Sequence, residues 1–89
     1  MARRRRDRWL PPVATSLSLE ARGGPAVDVT PPLPVRAWVQ TSVALIRVEG
    51  RALCETPDAV LVEWGSGQGA TDAWVWRSGV RHRRTELAD

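Results

Sequence analysis

Few side chains in this sequence have the chemistry needed for nucleophilic or acid–base catalysis. The chain contains a single cysteine, Cys54, a single histidine, His82, and no tyrosine. Cys54 lies in an apolar, strand-like stretch, which favours a small buried hydrophobic residue over a thiolate nucleophile. His82 stands among arginines, as is typical of a solvated strand end. Because no pattern orients a cysteine–histidine pair, we expect a non-enzymatic protein without a small-molecule substrate.

Metal and nucleotide sites are not indicated either. The sequence has no CxxC or HxxxH spacing that would supply a set of metal ligands. Residues 65–69 (GSGQG) contain spaced glycines, but no lysine and no helical pattern follow them, so they predict a hairpin loop instead of a phosphate-binding loop. We therefore expect no metal and no cofactor.

Arginine is the residue type with the clearest binding chemistry. All thirteen basic residues are arginines, and five of them lie within residues 3–8. A guanidinium group stays charged and binds phosphate through two hydrogen bonds, so such a cluster predicts contact with a polyanion, without sequence preference where that polyanion is nucleic acid. The alternative is a basic segment that only improves solubility. The predicted anion-binding residues are Arg3, Arg4, Arg5, Arg6, Arg8, Arg81, Arg83 and Arg84.

The charge is distributed unevenly along the chain. Residues 1–8 carry a net +4 and residues 77–89 a net +2, whereas residues 42–76 carry a net −3. If the last strand ends near the point where the arginine cluster leaves the domain, the two basic segments form one patch. Positive charge at both ends favours contact with phosphate backbones, the commonest polyanion, or with acidic protein.

The tryptophans are the second candidate binding feature, because the chain has five of them and no phenylalanine or tyrosine. Trp9, beside the arginine cluster, is suited to stacking on a base or packing into a partner. The others could form an aromatic cage for a methylated amine. We favour core positions for Trp64 and Trp74, since something large must fill the domain. Trp38 and Trp76, one of them partly exposed, join Trp9 as predicted partner-binding residues.

The first third of the chain does not have the pattern of packed structure. Prolines and glycines punctuate residues 1–34, which favours extended backbone and forbids a helix, although residues 13–19 could form a short strand. We predict an extended arm that takes on order only against a partner. Residues 31–36 (PPLPVR) fit the PxxPx[RK] pattern that SH3 domains bind, but their plainer role is a stiff entry into the first strand.

From residue 35 onward the pattern changes to β-strands. Apolar and β-branched residues fill stretches at 35–40, 43–55, 59–64, 71–76 and 80–83, and tight turns separate them. Five strands in about fifty residues predict a mainly β fold, a small barrel or a pair of packed sheets. The predicted domains are an arm (1–34), a β-barrel domain (35–84) and a short tail (85–89).

The order of these features resembles an SH3-like barrel of the Tudor type. The resemblance covers roughly residues 43–84: the run GRAL at 50–53, the hairpin 53–64, the strand ending AWVW at 73–76, a tight turn at 77–79, and Val80-Arg81. In that fold a short 3₁₀ turn separates the last two strands, where residues 77–79 stand here. The resemblance implies a binding or scaffold module, because such barrels rarely carry catalysis.

The composition and the N-terminal pattern indicate a source and a localisation for the protein. The use of arginine without lysine or asparagine is typical of a GC-rich genome, so we expect an actinobacterium or a phage of one as the source. Residues 3–10 partly resemble a twin-arginine export signal, but two prolines and Glu20 interrupt the apolar stretch and no cleavage site follows. We expect the protein in a virion or the bacterial cytoplasm, not exported. No apolar run is long enough to span a membrane.

These features together predict a non-enzymatic structural or interaction protein. Our first hypothesis is an accessory subunit of a nucleic-acid-containing assembly, with a capsid or connector protein of an actinobacteriophage virion favoured. In that hypothesis the barrel docks on protein, and the arginine-rich arm runs along neighbouring subunits or nucleic acid. The alternative is a free DNA- or RNA-binding protein, of the nucleoid or a regulator. A third, an enzyme subunit that lends its barrel to a larger active site, stays open.

Overall fold

Alternating β-branched and polar residues build a single antiparallel sheet. The computed structural model describes residues 13–83, which contain no α-helix. The strand order is β4-β3-β2-β1-β5, and the sheet curls so that β1 also contacts β4. The prediction of a mainly β fold with five strands is confirmed. The strands are β1 (Val27–Gln40), β2 (Leu45–Glu55), β3 (Ala59–Trp64), β4 (Thr71–Trp76) and β5 (Val80–His82).

Three short 3₁₀ turns complete the secondary structure of residues 13–83: Glu20–Arg22, Gly67–Gly69 and Arg77–Gly79. The last of them separates β4 from β5, where the resemblance to SH3-like barrels placed it, and directs β5 back to pair with β1. In this part of the chain no helix has the length and apolar character needed to cross a membrane.

Strand β1 begins eight residues earlier than the sequence pattern predicted. Val27 and Asp28 already pair with β2, and pairing resumes at Leu33 after a shift in register. Pro31 and Pro32 fall inside this shift, where no ladder hydrogen bond is required of them, so the sheet tolerates both prolines. The PPLPVR segment is therefore part of a paired strand. This finding corrects the expectation that the segment only leads into the strand.

Valine and alanine fill the core. Val35, Val39 and Val62 are the largest fully buried side chains, and Trp64 packs against the cluster from its margin. Trp74 is buried as predicted, but it does not belong to this cluster; its neighbours Ala73 and Val75 do. Because side chains alternate along a strand, Trp74 lies on the opposite face of the sheet. The expectation of core positions is therefore met for Trp74, which is buried outside the valine and alanine cluster, and met in part for Trp64, which is only partly buried.

Gly50 allows the close approach of β2 and β3. It lies in the middle of β2, paired with Val35 on one side and Trp64 on the other. A Cβ atom at this position would lie 2.1 Å from the carbonyl oxygen of Glu63. The register shift of β2 against β3 falls between Ala52 and Cys54 and not at Gly50. Glycine is needed at position 50 because β2 and β3 leave no space there for a side chain.

Two hairpin turns share one design, T-x-x-A. In each, a buried threonine, Thr41 or Thr56, bonds its backbone N–H to the carbonyl of the alanine three residues later, at 2.8 and 2.9 Å. Its hydroxyl oxygen also accepts the N–H of that alanine, at 3.0 Å in both turns. A threonine side chain that satisfies buried turn amides in this way fixes the loop length, and hence the register of the hairpin.

The strap, which we define as residues 13–22, lies along the sheet between β1 and β4. Backbone hydrogen bonds join Thr15 to the Gln40 carbonyl at 2.7 Å and Leu17 to the Trp74 carbonyl at 2.9 Å. Ala14 forms a β-bridge with Thr41. The strap therefore fills the gap between the two strands that the curled sheet brings together.

This packing changes the interpretation of the predicted arm. Residues 13–22 hydrogen-bond to the sheet and residues 27–34 belong to β1, so the expectation that residues 13–34 take on order only against a partner is wrong for these two segments. The short strand expected within 13–19 is reduced to one bridge and extended backbone. Residues 1–12 and 84–89 lie outside the described residues, and the proposed arm function of residues 3–9 stays a prediction.

Candidate functional site

Alternation along β1 places arginine and tryptophan on the face of the sheet opposite the core. Val35, Ala37 and Val39 point inward, so Arg36 and Trp38 point outward. Across the sheet, Arg36 lies between Glu49 of β2 and Arg81 of β5, and Trp38 lies opposite Arg47 of β2. Cross-strand neighbours on one face are within reach of each other, so these side chains form one surface.

The basic face, which we define as Arg36, Arg47, Arg81 and Arg83, carries more positive charge than its carboxylates can balance. Glu49 is the carboxylate that the described residues bring to it, at 3.4 Å from Arg36 and 3.6 Å from Arg83. The Arg36–Glu49 pair is solvent-exposed and therefore weak, so the Arg36 guanidinium remains able to bind an anion. The Arg83 guanidinium is less exposed and also donates a hydrogen bond to the Gly50 carbonyl at 3.3 Å.

The other two guanidinium groups of the basic face have different partners. Arg81 donates hydrogen bonds to the backbone carbonyls of Ser78 at 3.1 Å and Val80 at 3.0 Å, which fix its position, and no carboxylate of residues 13–83 pairs with it. Arg47 lies over the Trp38 ring at 5.9 Å from the centroid, a distance at which a cation and an aromatic ring attract. The Trp38 ring is therefore in contact with one of the four charges of the basic face.

Two adjoining depressions open on this surface. The basic pocket has a volume of about 260 Å³, and the aromatic groove beside it has about 420 Å³. Trp38, Ser78 and Gly79 line both. The basic pocket is otherwise lined by Arg36, Arg47 and Arg81; the groove is otherwise lined by Thr15, Leu17, Gln40, Leu45, Trp74, Val75 and Trp76.

Two indole rings of the aromatic groove are open to solvent. Trp38 is 48% exposed and Trp76 is 52% exposed, so both predicted partner-binding tryptophans of the domain face outward. The sequence predicted that only one of them would be partly exposed. Trp74 also lines the groove, but it is only 8% exposed because the strap covers it. Large exposed aromatic surface of this kind marks an interaction site more often than a structural one.

The lining argues against an aromatic cage for a methylated amine. None of the described residues that line the groove or the basic pocket is an aspartate or glutamate, whereas Arg47 and Arg81 line the basic pocket. A cationic ligand gains from aromatic rings, but adjacent guanidinium groups repel it. The same charges attract an anion.

Cys54 and His82 do not form a reactive pair. Asp28 pairs with Cys54 and Val35 pairs with His82, so the two side chains are separated by seven residues of β1, on the order of 20 Å. The Cys54 thiol donates a hydrogen bond to Asp28 Oδ1 at 3.4 Å. Burial, this hydrogen bond and the nearby carboxylate charge all raise the pKa of Cys54, so the thiol stays protonated at neutral pH.

No cluster of three or more histidine, cysteine, aspartate or glutamate side chains suited to a metal ion occurs within residues 13–83. His82 is exposed at the end of β5, on a different depression from the groove, lined also by Val29 and Leu33.

The predicted anion-binding residues are only partly located. Arg81 and Arg83 lie on the basic face, where the structure adds Arg36 and Arg47, which sequence reasoning missed. The signal was present: Arg36 and Trp38 on one strand, and Arg47 and Glu49 on the next, alternate with core residues. Outside the described residues lie the remaining predicted site residues: Arg3, Arg4, Arg5, Arg6, Arg8, Trp9 and Arg84.

Comparison of the chain with protein-family models, curated proteins and solved structures finds no match.

Proposed function

We propose that the protein is a non-enzymatic interaction module that binds nucleic acid as an accessory subunit of a larger assembly. The observation that carries the proposal is a sheet face on which the described residues place four guanidinium groups and one carboxylate, Glu49, which pairs with two of them. Guanidinium groups bind phosphate oxygens bidentately, and such contacts supply most of the affinity of sequence-independent binding.

The arginine cluster of residues 3–8 supports the same proposal from the sequence. It supplies a second set of charges for the polyanion, in addition to those of the basic face. A chain with both elements can hold nucleic acid and leave other surfaces to dock on protein subunits. Composition favours a bacteriophage virion or a bacterial ribonucleoprotein as the assembly.

Sedimentation of the native assembly tests this proposal. Particles are isolated from cells that produce either the full chain or a variant lacking residues 2–8, and the protein is followed through a sucrose gradient. We expect the full chain to co-sediment with the particles and their nucleic acid. The deletion variant should co-sediment less. Sedimentation of the full chain as a free protein in every fraction would contradict the assembly proposal.

A second candidate function is a free nucleic-acid-binding protein, and the aromatic groove beside the basic pocket favours it. Proteins that bind single strands alone combine a positive groove with aromatic side chains. This candidate expects the purified protein to bind oligonucleotides without other subunits, with an affinity that falls steeply as salt rises. Lack of binding at low salt would exclude it and leave the assembly proposal to be tested as above.

A further inference from the structure

The position of Trp38, at the border of the basic pocket and the aromatic groove, points to a specific ligand. We propose that this surface binds single-stranded nucleic acid, with an unpaired base against Trp38 and Trp76 and phosphates on Arg36, Arg47 and Arg81. The inference rests on the proposed function and deepens it, because it names the form of nucleic acid and the residues that select it.

The chemistry of the groove matches a nucleobase. A base has apolar π-faces, which stack on exposed indole rings, and polar edges, which require hydrogen-bonding groups at the rim. The groove offers both: Trp38 and Trp76 are half-exposed, and Gln40, Thr15 and Ser78 stand among its lining residues. Stacking of this kind tolerates any base, so little sequence preference is expected.

The groove is accessible because the residues beside Trp38 are small. Ser78 and Gly79 line both depressions, and a Cβ atom on Gly79 would lie 3.7 Å from the Cβ of Trp38. Substitution of Gly79 by a large residue would therefore place a side chain next to the indole ring. The 3₁₀ turn Arg77–Gly79 thus shapes the border between the two depressions.

The charges lie where the backbone of a stacked strand would need them. Arg47 is over the Trp38 ring. Arg36 lies two residues before Trp38 on β1, and its cross-strand neighbour on β5 is Arg81. A base against Trp38 therefore brings its own phosphate to the basic pocket. A duplex satisfies only half of this arrangement, because its base faces are already stacked and its phosphates alone can bind.

An acidic peptide is the competing ligand for the same surface. Its carboxylates would pair with the arginines, but no feature of such a peptide would require two exposed indole rings. The observations therefore favour a single strand, and the peptide becomes an outcome of the test.

The test measures binding of the full chain to a fluorescently labelled oligothymidine of about 12 nucleotides, a length within the range that one small domain covers. Fluorescence anisotropy compares this probe with a duplex of the same length and with polyglutamate as competitor, at several salt concentrations. We expect tighter binding to the single strand than to the duplex, and a strong dependence on salt.

Two pairs of matched variants separate stacking from charge. Trp38→Leu keeps an apolar side chain but removes the π-face, so we expect roughly tenfold weaker binding to the single strand, whereas Trp38→Phe should retain most of it. Arg47→Gln should weaken binding and lower the salt slope by about one. Arg51→Gln on the same strand is the control, because Arg51 pairs with Glu63 and lines neither depression.

The outcomes distinguish this inference from the proposed function. If the chain binds single strand and duplex equally and Trp38→Leu has no effect, the stacking site is excluded while nucleic-acid binding through arginine stands. If polyglutamate displaces the probe as well as unlabelled oligothymidine does, the surface is an acidic-peptide site and the inference is overturned. If no nucleic acid binds at low salt, both the inference and nucleic-acid binding by the isolated chain fail. Circular dichroism of each variant confirms that the sheet is intact.

Discussion

Trp74 and Trp76 are the same residue type, on the same strand and the same face of the sheet, yet their surroundings differ. Trp74 is 8% exposed and Trp76 is 52% exposed. The difference comes from the strap, which covers Trp74: Leu17 donates a backbone hydrogen bond to the Trp74 carbonyl, and the Arg22 guanidinium lies 4.7 Å above the indole ring. Trp76, two residues along, has no such cover from the described residues.

The strap divides the outer face of the sheet into a covered half and an open half. In the covered half, tryptophan and arginine bind each other and hold the chain together. In the open half, Trp38 and Arg47 stand in a similar relation, at 5.9 Å, but both are exposed. An arginine–tryptophan pair thus stabilises the fold where the strap covers it, and the same kind of pair is available to a ligand where the strap does not.

Deletion of the strap has the largest expected effect. A variant lacking residues 2–22 loses the Ala14–Thr41 bridge and the backbone hydrogen bonds to Gln40 and Trp74, and it uncovers the Trp74 ring. Since small domains are only marginally stable, we expect this variant to lose its cooperative unfolding transition. Urea denaturation followed by tryptophan fluorescence measures the change.

A variant lacking residues 2–8 is the matched control for the strap deletion. It keeps every contact within residues 13–83, so it should unfold at nearly the same urea concentration as the full chain. A cooperative transition in the strap deletion, with an unchanged midpoint, would show that the sheet closes without residues 13–22 and would remove the basis of the comparison.

Replacement of each β4 tryptophan by alanine measures the two halves directly. Trp74→Ala removes a buried ring and should lower the free energy of unfolding by about 3–5 kcal/mol. Trp76→Ala removes a half-exposed ring and should cost about 1 kcal/mol or less. Chemical denaturation of both variants gives the two values. Equal losses would mean that Trp76 is structural and that the open half is not free to bind.

Sequence patterns were sufficient for the bounds of β3 and β4, but they did not predict that the strap would cover part of the sheet. Period-2 alternation and turn residues located β3 and β4 at their observed bounds, because short-range chemistry decides both. The same alternation placed Trp74 and Trp76 on one face. It could not show that the strap would lie over only one of them, since that contact joins residues 57 positions apart.

The prolines misled the prediction for a related reason. Proline is excluded from the interior of a regular ladder, so residues 31–34 favoured a boundary at 35. The sheet accommodates them by a shift in register between Asp28 and Leu33, a device that single-sequence reasoning cannot foresee. The candidate site was predictable in part: Trp38, Trp76, Arg81 and Arg83 were named, but the groove that joins the tryptophans is a tertiary feature.

The two T-x-x-A turns offer a smaller test of the strap. Thr41 and Thr56 accept the same turn hydrogen bonds, but their hydroxyls donate to different acceptors. Thr41 donates to the Ala44 carbonyl, which also accepts the Thr41 backbone N–H, whereas Thr56 donates to the Arg22 carbonyl of the strap. Both Thr→Val changes leave turn amides unsatisfied and should cost about 1–3 kcal/mol. We expect Thr56→Val to cost about 1 kcal/mol more than Thr41→Val, as measured by thermal or urea unfolding.

Serine variants control for the shape of these turns. Thr56→Ser and Thr41→Ser keep the hydroxyl groups, so each should recover most of the stability that the valine variant loses. If Thr41→Val is the more damaging change, the anchor at Arg22 contributes less than the turn itself, and the strap is held mainly by its backbone contacts.

The cation–aromatic pairs have the smallest expected effect. Arg22 lies over the buried Trp74 ring at 4.7 Å, and Arg47 lies over the exposed Trp38 ring at 5.9 Å. Double-mutant cycles with Arg→Met and Trp→Leu isolate each pairwise energy, because methionine keeps the length of the side chain and removes its charge. Desolvation strengthens such pairs, so we expect a coupling of about 1–2 kcal/mol for Arg22 with Trp74.

The open pair should show a coupling of only about 0.5 kcal/mol, because solvent screens the charge of Arg47 and the Arg47–Trp38 distance is longer. Unfolding in urea at fixed salt gives all four corners of each cycle. A large coupling between Arg47 and Trp38 would mean that the guanidinium already occupies the ring as its partner, and a base would then have to displace it. A small coupling leaves the Trp38 ring available to a base. The difference between the two coupling energies would then measure how much the cover of the strap strengthens the Arg22–Trp74 pair.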